Sequence, residues 1–269
     1  MKRFSFYLAL TLIPASLVYA GTMGEMGEAH SPQRYFIAVG SGISFANKAN
    51  PSIDYSLWSD AIEGYSDSLR DAPLYTAALG YTINDAINVD LSYTFRGLYS
   101  YAKYQTVPTS TTGEPPLPSR SRYFDLSSNA VMFDVTLDGG VYHALAYNTA
   151  DHGFIQPFIG AGLGVSYNTL SNFHTILANT NVTTSTALDQ TTISLAYQFN
   201  AGLEWVYERF SFDIGYRYFN AGRYQSNNYL VTNYTEATQT STVASPKTTV
   251  PWKDTLSTNE LFFTARVAF

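Results

Sequence analysis

Five apolar side chains, Ile87, Val89, Leu91, Tyr93 and Phe95, alternate with five polar ones, Asn88, Asp90, Ser92, Thr94 and Arg96. Successive side chains of a strand point to opposite faces, so this stretch reads as a β-strand with one apolar and one polar face. The pattern recurs. It runs through Ile193 to Trp205 and Phe210 to Tyr218, and the chain ends on it: Leu261, Phe263, Ala265, Val267 and Phe269 share one face, Phe262, Thr264, Arg266 and Ala268 the other. A chain made of such strands has to find an apolar partner for every one of those faces.

The alternation predicts eight strands, near 34 to 45, 73 to 83, 86 to 98, 128 to 138, 154 to 167, 191 to 205, 209 to 219 and 259 to 269. Each is close to the roughly 9 to 11 residues that a tilted strand needs to cross a bilayer. Between them lie long polar segments, near 46 to 72, 99 to 127, 168 to 190 and 220 to 258, and short turns at Asn84-Asp85 and Val206-Tyr207-Glu208. The stretch 139 to 153, GGVYHALAYNTADHG, is longer than this rhythm requires and reads as holding a helical turn around Val141 to Ala146. An even strand number puts both termini on the periplasmic side and the four long connections outside the cell.

A soluble barrel or sandwich predicts the same alternation, with the apolar face inward. Residue size separates the two. Opposite the bulky apolar groups stand Gly40, Gly42, Ala78, Gly80, Gly160, Gly162 and Gly164, interleaved with charges. A soluble barrel would need the bulky face to fill its core, whereas a narrow eight-stranded interior holds few side chains and turns the greasy face to lipid. Charged residues make up 13% of the chain, below the roughly 25% of ordinary soluble domains, and aromatics 16%. The fold expected is an all-β, eight-stranded antiparallel transmembrane up-and-down β-barrel with four long extracellular loops.

The N-terminus reads as a secretory signal. Lys2 and Arg3 precede an apolar run from Phe4 to Val18, interrupted by Pro14 and Ser16, with a cut expected after Ala20. This gives a signal peptide at 1 to 20, a short periplasmic lead-in at 21 to 33 and a barrel domain at 34 to 269. The whole chain has a net charge of -6, so nothing points to nucleic acid, and it has no cysteine with which to form disulfides.

Candidate functional residues fall into two groups. Inward positions carry Asp90, Arg96, Asp134, Glu204, Asp213, Arg217 and Arg266, and burial requires the arginines to pair with the carboxylates. The first outer loop carries Tyr55, Trp58 and Tyr65 among Asp54, Asp60, Glu63, Asp67 and Asp71, aromatics amid polar residues that suit protein or glycan binding. Trp205, Phe210 and Tyr81 are expected in an inner aromatic belt, and Phe45, Phe95, Tyr167 and Tyr218 in an outer one. Catalysis has little support. His174, near Ser171 and Asn172, is the one histidine placed outside, with no spaced acid to orient it. His143 and His152, with Asp151 adjacent, suit a solvated loop better than a metal site. No cofactor is expected.

The terminal strand, QPFIGAGLGVSY at Gln156 to Tyr167, and FNAGLEWVYERFSFDIGYRYF at Phe199 to Phe219 resemble the eight-stranded outer-membrane barrels of the OmpA transmembrane domain, Opa and surface-antigen type. The resemblance implies a bacterial outer-membrane protein in contact with outer-membrane lipid and lipopolysaccharide, inserted by the barrel assembly machinery through a terminal strand signal at Phe263, Val267 and Phe269. Thr264 stands where that signal often has glycine, and no peptidoglycan-binding domain follows the barrel. The function it implies is a structural surface barrel, an adhesin or surface antigen whose extracellular loops bind a host or extracellular protein or glycan. The alternative is a narrow channel for small solutes.

Overall fold

The computed structural model describes residues 34–47, 69–105, 119–139, 147–148, 153–178, 183–227, 229–236, 239–243, 247–248 and 252–269. Eight long strands dominate: β1 (Tyr35–Ala46), β2 (Ala72–Asn84), β3 (Ile87–Gln105), β4 (Ser119–Asp138), β5 (Phe154–Ala178), β6 (Gln190–Tyr207), β7 (Phe210–Gln225) and β8 (Lys253–Ala268). Each pairs antiparallel with the next, and β8 pairs back onto β1, so the sheet closes into a ring. The closing seam runs from Phe36 opposite Ala268 to Ala46 opposite Thr258. Its last rung is reciprocal: Phe269 N donates to Tyr35 O at 2.8 Å and Tyr35 N to Phe269 O at 3.3 Å. Hydrocarbon supplies no donors or acceptors, so a sheet immersed in it must close in this way.

The two faces have opposite fates. Leu163 and Leu195 on the outer wall are 65% and 74% exposed, whereas Arg96 and Glu260 inside are 0% exposed. A soluble barrel would reverse this arrangement. The apolar band is rimmed near the termini by aromatics: Tyr35 lies against Tyr81 and Phe269, and Trp205 against Tyr207 and Phe212. Farther along the wall Tyr93, Tyr167 and Tyr216 stand exposed. The barrel spans a membrane with its side chains, not its backbone, facing lipid.

Three expectations need correction. The strands are longer than the bilayer requires, because β3, β4, β5, β7 and β8 continue into stretches that read as polar loops, at 99–105, 119–127, 168–178, 220–225 and 253–258. Threonine and tyrosine suit a strand as well as a loop, so polarity there marks the end of lipid and not the end of the sheet. Short strands Thr183–Ala187, Tyr229–Glu236, Gln239–Val243 and Lys247–Thr248 extend that sheet beyond the ring. The last tight turn sits at Glu208-Arg209, with Val206 and Tyr207 still in β6; Glu208 takes φ +54°. The signal segment, the lead-in, the helical turn at Val141 to Ala146, and His143 and His152 lie outside the described residues.

Candidate functional site

The lumen is stacked in four layers. At the mouth beside the termini, Arg266 lies 3.2 Å from Glu204 and 3.2 Å from Asp213. Gln156 donates to Glu204 at 2.7 Å, and Asn88 to Asp138. The Arg266 guanidinium also sits 4.6 Å over the Phe36 ring. Phe36 fits inside because β2 carries Gly80 beneath it, where a Cβ would collide with the ring. The mouth is an open vestibule of about 340 Å³ in which these polar groups alternate with Phe154, Val206 and Phe210.

The second layer surrounds a cavity of about 60 Å³ lined by Asp90, Asp134, Asp213, Gln198 and Arg217, among others. Asp90 and Asp134 are direct cross-strand partners. Ser92 donates to Asp134 Oδ2 at 2.8 Å and Gln198 to its Oδ1. The space has room and polar partners for water.

The third layer turns on Glu260. Its Oε1 accepts from Arg96 Nε at 2.6 Å, Thr258 Oγ1 at 2.9 Å and Ser44 Oγ at 3.0 Å; its Oε2 takes Arg96 Nη2 at 3.2 Å and Arg217 Nη1 at 3.5 Å. Tyr99 donates to Ser44 at 2.7 Å, and the Arg96 guanidinium covers the Phe219 ring at 3.4 Å. Glu260, absent from the inward residues named above, shares the parity of Phe262 and Arg266, so the same alternation marks it as inward.

The fourth layer is apolar. Tyr101 and Phe124 stack at 4.6 Å, and Trp252 meets both edge-on at 5.5 and 5.4 Å. Leu126, Leu170, Phe173 and Tyr224 belong to the same cluster, which reaches down to Tyr99 and Phe219 of the third layer. Three irregularities build it. Register shifts between Arg96 and Tyr99 in β3, at Asn172 in β5 and at Ala221 in β7 each add a residue, reversing which parity faces inward. Tyr99, Tyr101, Phe173 and Tyr224 then point into the lumen, where unbroken alternation would have turned them out.

The structure thus brings Asp134, Glu204, Asp213, Arg217 and Arg266 together in the terminus half of the lumen with Asp90 beside them, and sets Arg96 one layer deeper. Phe263 and Phe269 are exposed on the outer wall, and Val267 is partly exposed on the same strand. Tyr55, Trp58 and Tyr65 lie outside the described residues. His174 Nδ1 faces the backbone oxygen of Asn172 at 2.8 Å, and its ring stacks on Tyr123 at 4.9 Å. That partner is a carbonyl, which orients a histidine but supplies no acid. Among the described residues no group of three His, Cys, Asp or Glu is placed to hold a metal ion.

No protein-family model matches the chain, and no curated protein matches it by sequence. Among solved structures it is similar to neisserial surface protein A, NspA, at 17% identity over 87% of this chain and 97% of that one, with a TM-score of 0.42. It is similar to the outer membrane protein AlkL in DMPC lipid bilayers at 15% identity, over 92% and 97%, with a TM-score of 0.36. A third likeness is to Ail, the attachment invasion locus protein of Yersinia pestis, in complex with the heparin analogue sucrose octasulfate: 11% identity, 86% and 98% covered, TM-score 0.32.

Proposed function

We propose that this chain is a closed surface barrel of the bacterial outer membrane, acting through what its loop end presents outside the cell, as an adhesin or surface antigen. The observation that carries this reading is the occluded lumen. The Arg96 and Glu260 layer and the aromatic layer above it are both sealed, with Tyr99, Leu126, Leu170, Phe219 and Tyr224 all at 0% exposure. A solute entering the periplasmic vestibule meets a desolvated ion pair and then an apolar plug. Each is a barrier to an ion or a polar molecule.

Lipid and lipopolysaccharide surround the wall, the assembly machinery inserts the barrel, and the first outer loop with Tyr55, Trp58 and Tyr65 remains the candidate contact for a protein or glycan. Single-channel recording in planar bilayers tests the closed lumen: no conductance is expected, and steady openings would favour the solute channel. Binding of cells or matrix glycans by intact protein, compared with a protein lacking residues 50–68, tests the loop. Equal binding by the two would remove the first loop from the reading.

A further inference from the structure

Asp90 and Asp134 stand side by side on the lumen wall, and neither lies within ion-pair distance of a described guanidinium. They are register partners on β3 and β4, both turned onto the cavity of about 60 Å³ in the second layer. Like charges directly opposite across two strands repel, and surroundings of low dielectric sharpen the repulsion. Asp134 is met by neutral donors, Ser92 Oγ on Oδ2 at 2.8 Å and the Gln198 amide on Oδ1. No described residue donates a hydrogen bond to the Asp90 side chain.

The three lumen arginines are committed elsewhere. Arg96 and Arg217 converge on Glu260, and Arg266 on Glu204 and Asp213. Glu204 and Asp138 line the open vestibule, where water reaches them. Behind them Asp90, Asp134, Asp213 and Glu260 face Arg96, Arg217 and Arg266, which leaves one negative charge unbalanced in an enclosed space, and that counts Arg266 wholly for the inner set although Glu204 shares it. Water satisfies hydrogen bonds but brings no charge, and a buried charge without a counter-charge is costly.

A second observation points the same way. Gln198, Asn200 and Asp213 line this cavity, and each keeps an acceptor without a donor: Gln198 Oε1, Asn200 Oδ1 and Asp213 Oδ1. Gln198 and Asp213 are only 2% and 5% exposed. All three oxygens are recessed too far for water to touch them; a bare sodium ion is smaller than a water molecule and fits closer to oxygen. The donors left over among the charged residues of this wall are the Nε atoms of Arg217 and Arg266, on guanidiniums already held by carboxylates. Strand β5 makes the room, since a Cβ on Gly160 would collide with Asn200 Oδ1 and one on Gly162 with Asp134 Oδ1.

We propose that the second-layer cavity binds one sodium ion, held by the Asp90 and Asp134 carboxylates with the amide oxygens of Gln198 and Asn200, and reached from the periplasmic vestibule. Oxygen donors suit a hard cation, and the single unbalanced charge selects a monovalent one. Arg266 and Phe36 line both spaces, so the vestibule and the cavity adjoin, and the Arg96 and Glu260 layer beyond makes the site a dead end. The site is independent of the loops, so it and the surface-binding reading can fail separately.

The test unfolds the full-length barrel from phosphatidylcholine vesicles with urea in sodium, potassium or choline chloride at equal ionic strength, choline being too large to enter. Sodium at ten times its dissociation constant should raise the folding equilibrium constant about elevenfold over choline, and the rise should saturate. Potassium, a poorer fit to recessed oxygens, should raise it less. Asp90→Asn and Asp134→Asn should each lose the sodium response, with Asp90→Asn at least as stable as wild type in choline, whereas Asp138→Asn at the mouth should keep the response. Equal folding constants in sodium and choline, with a midpoint that follows pH alone, would mean that the two aspartates share a proton, and would overturn the site. Equal rises in sodium and potassium, or a sodium response kept in Asp90→Asn, would place the effect on the outer surface and overturn it as well.

Discussion

Arg96 of β3 and Glu260 of β8 meet across the lumen as a two-pronged ion pair, at 2.6 and 3.2 Å, with neither side chain exposed. They are 164 positions apart, and neither strand is the other's neighbour in the ring. The pair therefore ties opposite walls together. Five donor contacts to one carboxylate leave no lone pair of Glu260 unused, the condition under which a buried charge is tolerated.

Glu260→Gln should for this reason be among the most damaging single substitutions in the barrel. It leaves the Arg96 and Arg217 guanidiniums buried without a counter-charge, a loss of about 3–5 kcal/mol by analogy with broken buried pairs. The urea midpoint in detergent or lipid vesicles reads the loss directly. A midpoint unchanged from wild type would mean that water already screens this layer.

Arg266→Met should cost less. Arg266 joins Glu204 and Asp213, yet it borders the open vestibule, and its side chain is 17% exposed where those of Arg96 and Glu260 are fully buried. Water can enter to solvate the orphaned carboxylates, and the loss should be about 1–3 kcal/mol. Comparing its urea midpoint with that of Glu260→Gln tests the ranking.

Gly222 follows Ala221, the extra residue that reverses the parity of β7, and takes φ +68°. Alanine there would both strain the backbone and press its Cβ to 2.6 Å from Ser194 Cβ. Gly222→Ala should lower stability by about 1–3 kcal/mol. It should also loosen Tyr224, two residues on, which a gain in the near-ultraviolet tyrosine signal's solvent sensitivity would report.

These bulges mark the limit of what alternation reveals. Strict parity locates Asp90, Asp134, Glu204, Asp213, Arg217 and Arg266 on the inner face, and two residues back from Phe262 it puts Glu260 there too. It cannot place Tyr99, Tyr101, Phe173 or Tyr224, because one inserted residue in β3, β5 and β7 flips every side chain that follows. The glycine or asparagine at or beside each shift (Gly97, Asn172, Gly222) is a weak local mark, since most glycines of this barrel sit in regular strands. Strand ends were hidden for another reason. Beyond the lipid the outer face turns polar, so the hydrophobic signal stops while the hydrogen-bonded ladder continues.

Phe269 offers a way to separate closing the barrel from delivering it. Its backbone makes the final rung with Tyr35, and its ring stacks on the Tyr35 ring at 6.4 Å between centroids. Removing residues 267–269 deletes that rung and the pairing of Ile37 with Val267 and Phe36 with Ala268, leaving β1 donors and acceptors unmet in lipid, each costing several kcal/mol. The truncated chain should fail to give the heat-resistant folded form even when refolded from urea into vesicles without any helper. Phe269→Ala keeps every backbone bond and loses only one exposed ring, so unassisted refolding should proceed to nearly the wild-type yield. If the aromatic terminus is also what the assembly machinery reads, the same substitution should sharply lower the amount of folded barrel in cells. Loss in cells with normal refolding in vitro would assign Phe269 to recognition, and equal yields in both settings would leave it a rim residue alone.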